Sequence, residues 1–93
     1  MTLPKGAIAI LRETKDETKS FDDYTEIEIE GEKLSSATVT KRLKELVALD
    51  GLEETVIRSE TGRRKVGYEI TDRGRKVLKI ADEFEDKLGD IKE

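Results

Sequence analysis

Apolar residues along this chain follow two rhythms, and the change from one to the other divides it. Val39, Leu43, Leu46 and Val47 recur at i, i+4, i+7, i+8, one buried stripe on a helical period. The spacing predicts a helix over about 36–49, capped by Ser35 or Ser36 and stopped at Asp50-Gly51. Upstream, Thr2 and Pro4 read as the cap and first-turn proline of a short helix that turns Ala7, Ile8, Ile10 and Leu11 inward. Residues 13–20 hold no apolar side chain and form a polar connector. Ser20 with Asp23 three positions on is a capping-box-like start. The stretch 21–31 carries two signals: Phe21, Tyr24 and Ile27 suit a helix, whereas Ile27 and Ile29 alternating with glutamates suit a strand. The expectation is a helix of about two turns ending before Gly31.

Beyond Gly51 the period becomes two. Residues 54–59 and 64–70 are β-branched and alternating, and they flank Glu60-Thr61-Gly62. Two such runs around a glycine-containing turn predict a β-hairpin, with Val66, Tyr68 and Ile70 on one face and Gly67 and Glu69 on the other. Thr71 then caps a last helix over 72–91. Three helices, a two-stranded hairpin and a long C-terminal helix form an α+β, mainly helical plan, that of a winged helix-turn-helix. Residues 1–93 are expected to make one such domain.

Composition narrows the chemistry. Charged residues are 43% and hydrophobic ones 34%, so the core must be lean. The chain has no cysteine and no histidine, which removes the thiolate, the commonest general base and the commonest zinc ligand. There is no P-loop and no glycine-rich dinucleotide fingerprint, and adjacent carboxylates such as Asp22-Asp23 diverge by about 100° on a helix. An enzyme, a cofactor and a bound metal are therefore not expected, and the acidic residues Asp82, Glu83, Glu85, Asp86 and Asp90 read as a solvated helix face. No apolar run reaches membrane-spanning length and residues 1–20 lack the plan of a signal peptide, so a cytoplasmic protein without a membrane partner is expected. Net charge is −4, but it is unevenly placed: residues 36–76 hold 10 basic and 7 acidic side chains, an excess of +3, between acidic flanks. The positive excess coincides with the central helix and the hairpin, an electrostatic footprint suited to nucleic acid.

Three motifs in order carry a family resemblance. LSSATVTKRLKEL is followed by Gly51-Leu52, then by the basic turn TGRRK, then by YEITDRG, which is similar to a Tyr-x-Leu-Thr-x-x-Gly signature. Residues of roughly 20–80 thereby resemble winged helix-turn-helix transcription regulators of the MarR and HxlR kinds found in bacteria and archaea. Ile70 stands where leucine is usual, the first helix is short, and the additional helices of full-length MarR proteins have no counterpart. The resemblance implies double-stranded DNA as partner, with the 36–49 helix in the major groove and the wing, about 54–70, on the backbone or minor groove. It leaves any small-molecule effector unknown.

Stepping about 100° per residue from Val39 aims Ala37, Thr38, Lys41 and Lys44 away from the buried stripe. Ser36, Ala37, Thr38 and Lys41 are then the base-edge candidates: Ala37 for a thymine methyl, Thr38 for either polarity, Lys41 for guanine O6/N7. Ser35, Ser36 and Thr40 suit phosphate at the positive end of the helix, and Arg42 and Lys44 suit backbone contacts. In the wing, Arg63, Arg64 and Lys65 follow Gly62, with Arg58 across the hairpin. The plainer alternatives are an amphipathic surface helix kept soluble by its lysines and a charged turn that guards a sheet edge.

The last helix repeats Val77, Phe84 and Ile91 at sevens, with Ile80, Ala81 and Leu88 between. That seam over 72–91 is expected to be the dimer interface of a twofold homodimer, the alternative being packing within its own domain. A rival function remains open at this stage: a winged-helix protein-interaction module that does not bind DNA, using the acidic flanks.

Overall fold

The computed structural model describes residues 6–58 and 60–91, with side chains for 6–58 and 60–84. In chain order the elements are α1 (Ala7–Glu13), β1 (Lys19–Ser20), α2 (Phe21–Thr25), β2 (Glu28–Ile29), β3 (Glu32–Lys33), α3 (Ser36–Ala48), β4 (Leu52–Arg58), β5 (Arg64–Ile70) and α4 (Asp72–Ile91). One antiparallel sheet runs β1-β5-β4, and β2-β3 is a separate small hairpin. The core lies where α1, α2, α3 and the root of α4 meet the base of that sheet. Ala7, Ile10, Leu11, Tyr24, Val39, Leu43, Leu46, Leu52 and Leu78 are all buried there. This is the winged-helix plan expected above.

Several local expectations are corrected. The second helix is one turn, not two. A continued helix would rotate Ile29 about 140° away from the inward Tyr24, whereas an extended chain turns Ile27 and Ile29 to the same side and leaves the glutamates in water. Glu30 and Gly31, with φ of 54° and 85°, make the tight turn, and the Leu34 N–H closes the segment onto the Ile27 carbonyl at 3.1 Å. The connector 13–20 ends in a strand that periodicity could not reveal. Only two residues of β1 pair, Lys19 with Tyr68 and Ser20 with Gly67, so it is made by backbone bonds alone. At Ser20 the Asp23 carboxylate accepts the backbone N–H at 2.9 Å, as a capping box requires. The described part of α1 opens on Ala7 with Gly6 at its cap, and Thr2 and Pro4 lie outside the described residues.

α3 ends in a Schellman pattern. Gly51 N–H donates to Leu46 O at 2.8 Å and Asp50 N–H to Val47 O at 3.0 Å. The left-handed residue is Asp50, φ 60°, and not the glycine. The junction is then locked to α4: Thr71 N–H donates to Gly51 O at 3.2 Å, the Thr71 hydroxyl donates to Asp50 O, and Gly74 N–H donates to Thr71 Oγ1 at 3.0 Å. Thr71 therefore caps α4 as expected and also ties it to the end of α3.

The polar centre of the core is a pair. Thr14 Oγ1 donates to Ile10 O at 2.7 Å, which leaves the Tyr24 hydroxyl to donate to Thr14 Oγ1, also at 2.7 Å. The Tyr24 ring meets Tyr68 edge-on, centroids 6.1 Å apart. Burial, more than any other influence, pushes the Tyr24 phenol up to about 12. Its folded pKa lies above the unfolded value of about 10. The contribution is therefore complete below pH 10 and is lost as pH rises from there through about 12. Tyr24→Phe is expected to cost about 1 kcal/mol at neutral pH and to flatten the fall in stability above pH 10, both readable in urea unfolding at stepped pH. An unchanged alkaline slope in the variant would remove Tyr24 as its source.

Candidate nucleic-acid interface

The site is built on the outer side of α3. Ser35, at the N-cap with φ −70° and ψ 155°, accepts the Thr38 N–H at 3.2 Å. Its own hydroxyl donates to Thr38 Oγ1 at 2.9 Å, so the Thr38 proton stays available for a further acceptor. Because Val39, Leu43 and Leu46 are drawn into the core, Ser36, Ala37, Thr40, Lys41 and Lys44 are all exposed and Thr38 is half-exposed. Arg42 is set differently. It lies on the inner flank with its side chain only 14% exposed, and its guanidinium is engaged by Glu45 one turn on. A phosphate contact from Arg42 would have to use the guanidinium donors that this pair leaves over, on a side chain that is largely covered.

The wing begins beside α3. Thr40, Leu43 and Lys44 share a groove with Phe21 of α2 and with Glu54 and Tyr68 of the sheet. In the hairpin register Leu52 faces Ile70, Glu54 faces Tyr68, Val56 faces Val66 and Arg58 faces Arg64. Direct partners and every second residue share a face, so Arg58 and Arg64 project from the face that meets α3. Lys65, opposite Ile57, belongs to the other face together with Glu53, Glu69, Thr55 and Gly67. The run Arg63, Arg64, Lys65 is thus split by the pleat rather than presented as one patch. Arg63 is exposed at the tip next to Gly62, whose φ is 81°. Two arginines directly opposite on a ladder repel each other, and an anion between them would relieve that repulsion.

The profile of the HxlR-like helix-turn-helix family matches residues 4–91. The chain belongs to this family. No curated protein sequence matches it. Solved structures resemble the fold of this HxlR-like chain at low identity. A PadR family transcription regulator from hypervirulent Clostridium difficile has 18% identity and a TM-score of 0.82, over 95% of this chain and 94% of that one. The transcriptional regulator YodB of B. subtilis, in its reduced form, has 23% identity and a TM-score of 0.70, over 89% and 76%. The adhesin competence repressor AdcR of Streptococcus pyogenes has 21% identity and a TM-score of 0.69, over 97% and 63%.

The third region singled out by sequence is α4, and here the expected seam divides. Val77 is half-buried and packed against the core, and Leu78, outside the heptad reading, is buried at 3% exposure. Ile80 and Phe84 are 65% and 62% exposed, and Ala81 is half-buried. The side chains of Leu88 and Ile91 lie outside the described residues. Arg12 of α1 pairs with Asp82 of α4 across the two helices. Among the described residues no helix is long and apolar enough to cross a membrane, and no group of three or more acidic side chains is placed to hold a metal ion.

Proposed function

We propose that this HxlR-like chain is a homodimeric, sequence-specific DNA-binding transcription regulator acting in the cytoplasm by steric or recruiting action at a promoter. Residues 1–93 serve as one winged-helix domain. The observation that carries the reading is the exposed strip Ser36, Ala37, Thr40, Lys41 and Lys44 on a helix whose other side is core, adjoining a wing that turns Arg58 and Arg64 the same way. α3 enters the major groove, with Ser36, Ala37, Thr38 and Lys41 toward base edges. Ser35, Thr40 and Lys44 take the backbone, with Arg42 through the donors its pair with Glu45 leaves over, while Arg58, Arg63 and Arg64 act beside the groove and Lys65 from the far face. The exposed pair Ile80 and Phe84, one turn apart, supports 72–91 as the dimerisation element, with Val77 and Leu78 holding that helix to its own domain. A twofold dimer brings two copies of α3 to successive turns of a palindromic duplex.

The test is selection of duplexes from a random pool followed by titration across salt, with mass measured by sedimentation. A preferred, palindromic site, a dimer mass and a log–log salt slope of about −0.9 per phosphate contacted are expected. A chain that enriches no duplex, yet retains protein partners at high salt after nuclease treatment, would instead be an interaction module.

A further inference from the structure

Five large apolar side chains are exposed among the described residues: Leu49, Val56, Val66, Ile80 and Phe84. Leu49 ends α3, and Ile80 with Phe84 is the α4 pair already considered. Val56 and Val66 are different. They face each other directly across the hairpin and, among the described residues, stay 64% and 53% exposed.

Their position is specific. Along one face of the wing the paired residues run from Leu52/Ile70 at the core, through Glu54/Tyr68, to Val56/Val66 and then Arg58/Arg64. Steps on one face of a strand are about 7 Å, so the valines sit one step below the arginine pair and one step above the groove that Glu54 and Tyr68 share with Thr40 and Lys44. The face has cations at its tip and hydrocarbon one step below them, and Lys44 of α3 lines the groove at the Glu54/Tyr68 level. Glu54 stands between the valines and Lys44, so phosphate is disfavoured at that level and the partner must offer an uncharged surface there. A protein helix would need a wider apolar patch than two valines. A DNA strand alternates phosphate with the C–H surface of deoxyribose, and that alternation matches charge and hydrocarbon along this face.

We propose that Val56 and Val66 pack on the deoxyribose edge of the minor groove that flanks the site met by α3, with Arg58 and Arg64 on the phosphates beyond. This rests on the DNA-binding reading above and adds a contact of a different kind to it. An apolar contact releases no counterions, so it adds affinity without adding to the salt slope. β-Branched residues also serve a strand whatever they touch, and threonine separates the two roles because it keeps the branching while adding a hydroxyl.

The experiment titrates a duplex selected by the full-length chain across a salt series. Val56→Ser/Val66→Ser is expected to weaken binding about tenfold at every salt, a parallel displacement of the line, and Val56→Thr/Val66→Thr about threefold. Arg58→Ala/Arg64→Ala is expected instead to flatten the slope by about 1.8, two contacts at about 0.9 each. Thermal unfolding followed by circular dichroism checks that each variant is folded, and the threonine pair keeps the test intact if the serine pair loosens the hairpin. Folded variants that bind like the parent overturn the proposal while leaving the DNA reading standing. So does a smaller sedimentation mass with unchanged DNA affinity, which assigns the valines to self-association. A parent chain with no salt-dependent affinity for any selected duplex overturns the DNA reading itself.

Discussion

Alanine at Gly74 is expected to destabilise the fold by about 3 kcal/mol, the upper range for an overpacked site. Gly74 lies in the first turn of α4, where alanine by itself would favour the helix by up to about 1 kcal/mol. Packing reverses that sign. A Cβ built there runs into the backbone carbonyl oxygen of Gly51 and approaches Ile70 Cγ1 to 2.8 Å. The Gly51 oxygen cannot retreat. Gly51 is buried, its N–H is bound to Leu46 O at 2.8 Å, and its carbonyl accepts from Thr71 at 3.2 Å. Moving it would loosen the α3 terminus and the α4 cap together. Gly67→Ala is the internal comparison. Its added Cβ meets both Cγ1 and Cδ1 of Ile57 and lies 3.2 Å from Thr18 Cγ2, so side chains and not backbone must give way. Ile57 is half-buried and must change rotamer, so a loss of about 1–2 kcal/mol, smaller than at Gly74, is expected. Urea midpoints of the two variants, taken side by side, decide the matter: equal midpoints would mean that the α3–α4 junction is softer than its hydrogen bonds imply.

The second large effect concerns DNA. Lys41→Ala with Arg64→Ala is expected to lower affinity for a selected duplex by about two orders of magnitude at low salt, on the basis of about 1–3 kcal/mol for a base-edge lysine plus one phosphate contact. Neither residue touches the core: both are exposed, Lys41 on the outer side of α3 and Arg64 on the wing. Stability should therefore hardly move. The single variants should differ in kind. Lys41→Ala, aimed at a base edge, should relax sequence preference at one position of each half-site. Arg64→Ala should weaken all sequences alike and reduce the salt slope by about 0.9. Fluorescence titration against the selected site and against single-position mismatches reads both quantities. If the double variant bound the selected duplex as the parent does, α3 and the wing would not be the DNA-binding surface.

Legibility followed the range of the interactions involved. The α3 stripe, the two long strands of the wing and the cap at Thr71 were readable because each rests on a local period or on a hydroxyl within one turn. The segment 26–33 misled because its two isoleucines satisfy a helix with Phe21 and Tyr24 as well as a strand with each other. The turn at Glu30-Gly31 decided for the strand. β1 left no trace in side-chain pattern, since a two-residue edge pairing uses only N–H and C=O groups. Arg42 looked like a backbone contact from its angle on the helix wheel. Its pairing with Glu45 is an i,i+3 contact that the spacing already allows; what a wheel does not represent is the packing that leaves the Arg42 side chain only 14% exposed.

The sequence by itself determined the order of the four helices and the wing hairpin, the buried side of α3, the basic centre between acidic flanks and the family signature, all of which are properties of neighbours along the chain. Only the tertiary structure decided which cations share a face, because the pleat separates Arg64 from Lys65 although they are adjacent in sequence. It likewise decided that Leu78 is core while Ile80 and Phe84 are open, since a long helix is buried only where other elements reach it. And it decided that position 74 takes glycine, because the carbonyl that excludes a side chain there comes from Gly51, brought alongside at the root of the wing hairpin.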